Sequence, residues 1–143
     1  MSDIKFIKNF CERYYITNYT INDDLSIDVD GNVDIGYTPT KKSINRLDEI
    51  PIKFNKVSGW FYCDENNLSS LKNCPKYVGK MFRCDENNLT SLEHSPEFVG
   101  GDFDCYWNPL ESLDGLKVPY KSFYCINKKL LIRKHKLKQS INL

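Results

Sequence analysis

The sequence predicts an α+β repeat solenoid: a curved parallel β-sheet, covered at one end by a helix and hairpin and closed at the other by an irregular basic cap. Three observations carry that expectation. First, Phe61-Tyr-Cys-Asp-Glu-Asn-Asn-Leu-Ser-Ser-Leu71 recurs as Phe82-Arg-Cys-Asp-Glu-Asn-Asn-Leu-Thr-Ser-Leu92 and, more worn, as Phe103-Asp-Cys-Tyr-Trp-Asn-Pro-Leu-Glu-Ser-Leu113, each time 21 residues on. A period in this range marks stacked small units rather than one globular core. Second, Phe and Cys lie two apart in every copy, so they share one face of a short strand and the residue between them faces the other way. Third, an Asn follows the Cys by three and a Leu follows the Asn by two, which marks the corner where the chain leaves the strand. A buried Asn at such a corner can satisfy turn backbone, and stacked copies form a ladder.

From the N-terminus, Ser2 or Asp3 can cap a helix whose apolar positions Ile4, Ile7, Cys11 and Tyr14/Tyr15 recur at helical spacing, widened by Phe6 and Phe10. A helix this apolar must lie on something, and the open end of the solenoid offers a surface that needs covering. A partner-binding helix is the functional alternative. Tyr19-Thr-Ile21 and Leu25-Ser-Ile-Asp-Val29 alternate like half-buried strands around an Asn22-Asp-Asp24 turn. Asp30-Gly31-Asn32 gives a tight turn into Val33-Asp-Ile35. The acids of this segment lack the 12-residue loop and terminal bidentate Glu of a calcium hand, so turn chemistry explains them.

Val29-Asp-Gly-Asn-Val-Asp-Ile35 aligns with Val57-Ser-Gly-Trp-Phe-Tyr-Cys63, a first divergent coil stretched to 28 residues by a polar, proline-containing surface loop around residues 36–45. On one frame the columns are Val57, Val78 and Val99; Phe61, Phe82, Phe103 and Phe123; Cys63, Cys84, Cys105 and Cys125; Asn66, Asn87 and Asn108; Leu68, Leu89, Leu110 and Leu130. The whole chain reads as one domain, with residues 1–28 as the N-terminal cap, 29–127 as about five coils and 128–143 as a basic C-terminal cap or tail.

This pattern resembles the leucine-rich repeat family, with Phe and Cys in place of two strand leucines, over about residues 29–130. It is most similar to the short bacterial type, and the Asn-Asn-Leu-Thr-Ser-Leu coils resemble phage-encoded relatives. The resemblance implies a curved solenoid with a parallel sheet on its concave side, used to bind macromolecules. The chain departs from the family pattern at both ends: Thr38 stands in the Asn column of the first coil, and Lys128 in that of the last, with Asn127 one place early.

The near-neutral net charge of +1 hides a split. Residues 1–114 hold all 19 acids against 12 Lys/Arg and so carry −7, while residues 115–143 carry +8. A sign change of that size is a partner signal or a solvated cap. No apolar run approaches the ~20 residues needed to span a bilayer, and the N-terminus has no basic-then-apolar signal pattern. The expected location is cytoplasmic, and host cytoplasm for a phage product. Six cysteines could form a disulfide framework, but four of them sit in the repeat column and read as core. A row of thiols one repeat apart does not converge on one zinc ion either, and Cys11 and Cys74 have no evident partner. No cofactor or metal is expected.

Catalysis is not expected. His94 and His135 stand apart, no phosphate loop or nucleophile elbow occurs, and the paired acids Asp64-Glu65 and Asp85-Glu86 repeat with the coil. Binding fits better. With Phe and Cys inward, strand alternation turns Trp60, Tyr62 and Asp64 outward, then Met81, Arg83 and Asp85, then Asp102, Asp104 and Tyr106, then Ser122, Tyr124 and Ile126. Glu65, Glu86 and Trp107 flank the strand ends. Exposed aromatics interleaved with acids suit a protein partner with a basic surface. From this set the expected partner-binding residues are Trp60, Tyr62, Asp64, Arg83, Asp85, Asp104, Tyr106, Trp107 and Tyr124. Under the phage resemblance, the role is that of an inhibitor or adaptor acting on a host or defence protein. The alternative is a nucleic-acid-binding accessory protein using the basic tail, through Lys128, Lys129, Arg133, Lys134, Lys136 and Lys138.

Overall fold

The computed structural model describes residues 3–40 and 45–141. Helix α1 spans Ile4–Arg13, and its cap is Asp3, whose carboxylate accepts the Phe6 N–H at 2.7 Å. Ser2, the other candidate cap, and part of the expected insertion, residues 41–44, lie outside the described residues. The buried stripe of α1 is Ile7, Phe10 and Cys11, continued by Tyr14 just past the helix. It is narrower than the sequence suggests, because Ile4, Phe6 and Tyr15 are exposed. At 100° per residue Phe6 lies about 90° around from the stripe, off the contact face.

Ten short strands follow among the described residues: β1 Tyr19–Ile21, β2 Ile27–Val29, β3 Val33–Asp34, β4 Phe54–Val57, β5 Phe61–Tyr62, β6 Tyr77–Val78, β7 Phe82–Arg83, β8 Phe98–Val99, β9 Phe103–Asp104 and β10 Phe123–Tyr124. They form two five-stranded sheets, one ordered β1-β2-β4-β6-β8 and one ordered β3-β5-β7-β9-β10. Only β1 and β2 are antiparallel, as a hairpin whose turn is held by Asp24, which accepts the Ser26 N–H and pairs with Lys53 at 2.8 Å. All other pairings are parallel. The fold is therefore α+β, with two helices and two mostly parallel sheets.

Parallel pairing follows the repeat. Phe61 pairs with Phe82 and Phe82 with Phe103, while Val57 pairs with Val78 and Val78 with Val99. The aligned divergent segment pairs as the sequence pattern predicts, Val29 with Val57 and Val33 with Phe61. The one parallel sheet expected from the sequence is instead two, because the chain bends between the Val and Phe columns. Asp30-Gly31-Asn32 is such a bend, carrying the chain from one sheet to the other rather than closing a hairpin. At these corners a β-carbon on Gly79 or Gly100 would sit 2.1 Å from a carbonyl oxygen of the preceding repeat, so only glycine fits. The first sheet stops at β8.

The core lies between the sheets and the outer turns. Phe54, Phe61, Phe82, Phe103 and Phe123 stack in file, with successive ring centres 5.0, 5.7, 4.8 and 5.2 Å apart. Leu71, Leu92 and Leu113 are buried beneath them. All six cysteines are free and buried. Burial pushes the Cys63 and Cys84 thiols far above their ordinary range and those of Cys11 and Cys125 up to about 11.

Each buried Asn joins its own repeat to the one before. Asn87 accepts the Leu68 N–H at 2.9 Å and donates to the carbonyls of Cys63 and Cys84, both at 3.0 Å. Asn66 does the same for Leu47 N–H, Ile35 O and Cys63 O, and Asn108 for Leu89 N–H, Cys84 O and Cys105 O.

The C-terminal cap differs from the expected irregular segment: it is helix α2, Lys128–Ile141. Leu130 accordingly leaves the Leu column and is exposed, and Leu131, one residue on, is buried in its place. The helical turn re-aims these side chains away from the repeat's phase. Among the described residues no helix is long and apolar enough to cross a membrane.

Candidate functional site

The open face of the second sheet is built from the residues between the buried Phe and Cys. Strand register sets Asp34, Tyr62, Arg83, Asp104 and Tyr124 in one central column. Tyr62 stacks on Trp60, with ring centres 4.1 Å apart and planes at 21°. The Arg83 guanidinium lies 5.1 Å from the Tyr62 ring centre and forks onto Asp85, with both nitrogen–oxygen distances 3.1 Å. The same guanidinium stands 3.6 Å from Asp64. Trp60, Tyr62, Asp64, Arg83 and Asp85 thus form one connected cluster, pre-ordered by stacking and a bidentate ion pair.

This contact set changes the roles read from the sequence. Asp85 is buried and Asp64 nearly so, and both face the protein's own Arg83. They are internal to the face rather than free to meet a partner. On this face, Glu65, Glu86, Asp102 and Asp104 make no ion pair among the described residues. Of these, Asp102 and Glu86 are exposed, and Asp104 accepts the Tyr106 N–H at 3.0 Å. Trp107 is the most open aromatic of the set at 66 % exposure. Its backbone is left-handed, φ 59°, as are Glu65, Glu86 and Asn127 at the matching position of each repeat. That recurrent bend turns those side chains to the rim of the sheet. Tyr124 lies under Lys128, whose Nζ is 4.9 Å from the ring centre.

Burial pushes the Asp64 carboxyl up to about 6, opposed by Arg83 and reinforced by Asp85. Burial also raises Asp104, opposed by the Tyr106 N–H. A carboxyl raised in the folded state binds its proton more tightly there than in the unfolded chain. Its stabilising contribution is therefore full below pH ~3.8 and is lost as pH rises through about 6. For Asp64 the loss amounts to about 2–3 kcal/mol at most. Urea titrations at successive pH values are expected to show Asp64→Asn gaining on the wild type by that amount between pH ~4 and ~7. Parallel pH profiles for the two proteins would exclude the raised carboxyl.

The six basic residues of the alternative site all fall on α2 or at its start, but not on one side. Lys138 pairs with Asp114 at 2.9 Å, Lys128 lies over Tyr124, and Lys136 lies 5.7 Å from the Tyr120 ring centre. Lys129, Arg133 and Lys134 point outward and make no ion pair among the described residues. Also among the described residues, no three His, Cys, Asp or Glu side chains are grouped to hold a metal ion.

Two features were missed in the sequence. Tyr77 and Phe98 stack on the open face of the first sheet, 4.8 Å apart and 10° from parallel, with Lys56 5.2 Å from the Tyr77 ring centre. Their signal was available, since each immediately precedes an inward Val of the repeat and so must face out. The second is an apolar recess of about 590 Å³ beside α1, lined by Phe6, Phe10, Tyr14, Leu47 and Pro51 among others. It brings together residues distant in sequence, and no local pattern reports it. Comparison of the chain with protein-family models, with curated proteins and with solved structures returned no match.

Proposed function

We propose that this chain is a repeat solenoid of leucine-rich-repeat type that works as a non-catalytic protein-binding module. Its acidic and aromatic face takes a basic protein surface. The observation that carries the reading is the ordered Trp60–Tyr62–Arg83 cluster flanked by the exposed side chains of Trp107, Asp102 and Glu86. Rigid aromatic anchors bring large contact area at low entropic cost, and rim carboxylates speed and select encounters with cations. The tie between Asp64, Asp85 and Arg83 gives these acids a structural task rather than a chemical one. Six free, buried thiols suit a reducing compartment such as the cytoplasm. The resemblance to phage-encoded coils extends the reading to an inhibitor or adaptor of a host or defence protein.

Arrays of peptides graded from acidic to Lys/Arg-rich test this. Basic peptides with an aromatic or aliphatic anchor are expected to bind, more weakly as salt rises. Trp107→Ala with Asp102→Lys is expected to weaken them at least about thirtyfold, ~2 kcal/mol, with the urea midpoint unchanged. Binding indifferent to peptide charge, or untouched by the double change, sinks the reading. The second reading, nucleic-acid binding, draws on the outward Lys129, Arg133 and Lys134. It requires oligonucleotide affinity that collapses when these three are reversed to Glu.

A further inference from the structure

We infer that the basic surface recognised by the open face is helix α2 of a second copy of this chain; the inference rests on the face being a binding surface. α2 holds six Lys/Arg and no acid in 14 residues. It is attached to its own body along one side only. Leu131 is buried, His135 meets the Tyr120 ring edge-on, and Lys138 pairs with Asp114. The opposite side carries Leu130, Leu137 and Ile141, exposed at 49, 61 and 73 %. At 100° per residue these three fall within about 40° of arc, with Arg133 on one flank and Lys134 on the other. An exposed apolar line at i, i+7 and i+11 between cations is the pattern of a helix that lies in an acidic groove with an apolar floor.

The open face has that complement. Its aromatics Trp60, Tyr62, Tyr106 and Trp107 run among Glu86, Asp102 and Asp104. Lengths agree as well: five strands span about 19 Å at ~4.8 Å per step, and a helix of 14 residues is about 21 Å long. The −7 of residues 1–114 and the +8 of residues 115–143 supply the attraction. The contact cannot form within one chain. α2 begins three residues after Cys125, and its attached side pins it to the last repeat with the apolar line turned away. A lipid surface is a poorer match, because an interfacial helix buries an apolar face of about 100° or more. Each copy has one helix and one face, so two copies either exchange helices into a closed pair or join head to tail.

Sedimentation of the full-length chain over a concentration series tests this. Self-association is expected at about 50 mM salt and should weaken at least tenfold by about 500 mM. A helix variant (Arg133→Glu, Lys134→Glu, Leu137→Ser) and a face variant (Trp107→Ala, Asp102→Lys) are each expected to stay monomeric. Circular dichroism and the urea midpoint confirm that both are folded. Mixed, they are expected to form a one-to-one pair, because the intact helix of one meets the intact face of the other. A wild type that remains monomeric overturns the inference, as does a helix variant that still self-associates. Capture of a monomeric wild type by anionic phospholipid vesicles overturns it too, in favour of a lipid-binding helix. If the chain is monomeric yet binds basic peptides on the open face, the proposed function stands and this inference falls. If no basic peptide binds either, both fall.

Discussion

Asn87→Ala is expected to destabilise the chain by about 3 kcal/mol, read as a lower urea midpoint at unchanged slope. The reason lies in which partners the neighbours can replace. Cys63 O also accepts from Asn66, and Cys84 O also accepts from Asn108, so both carbonyls keep a donor when the Asn87 amide is removed. The Leu68 N–H has no such reserve. Among the described residues its partner is Asn87 Oδ1, and the Leu68 side chain is fully buried. One orphaned buried donor costs about 1–3 kcal/mol, and the lost side-chain packing adds to it. Asn87→Asp separates the two halves of the amide. It keeps an acceptor for Leu68 but sets an anionic oxygen against the carbonyls of Cys63, Cys84 and Asp85, and is expected to be at least as damaging near pH 7. A change below about 1 kcal/mol for Asn87→Ala would mean that water already serves this corner.

Phe82→Ala is expected to cost more, about 3–5 kcal/mol. The ring is fully buried and lies between Phe61, stacked at 5.7 Å and 7°, and Phe103, at 4.8 Å and 57°. Truncation leaves a void in the file of rings that fixed corner glycines and ladder hydrogen bonds keep from collapsing. Phe82→Leu keeps much of the volume and is expected to lose closer to 1.5 kcal/mol. Under the solenoid reading, stability is a sum over nearest-neighbour contacts, so a cavity at the middle repeat weakens the coupling between the two ends. The variant is then expected to unfold in a broader transition, with a smaller urea slope than Phe82→Leu. Equal slopes would indicate a fold that melts as one unit.

Much of the framework was legible because a stacked repeat makes sequence separation equal to register. Phe61, Phe82 and Phe103 had to pair if the repeats stack, and Val33 with Phe61 followed from one alignment. The Asn column predicted its own hydrogen-bond ladder, since a buried amide at a turn must be satisfied. The candidate site was legible only as a list of outward residues. Alternation says which side chains leave the core, but not which of them meet. Arg83 is the clearest case: in sequence it is a lone cation among acids, and in the fold it ties Asp64, Asp85 and Tyr62 together. That leaves Asp102, Glu86, Tyr106 and Trp107 among the exposed groups.

By itself the sequence determined the period, the inward Phe and Cys of the strands and the −7 to +8 division of charge. Each of these depends on covalent order and local alternation alone. Tertiary structure decided the rest. It made two sheets of one by bending the chain at glycines that a neighbouring carbonyl overlies. It wound the basic tail into a helix with Leu131 inward and Leu130 outward. It also paired Asp64 and Asp85 with Arg83 while leaving Asp102 and Glu86 exposed. These outcomes rest on distances between residues far apart along the chain, and no local pattern encodes those distances.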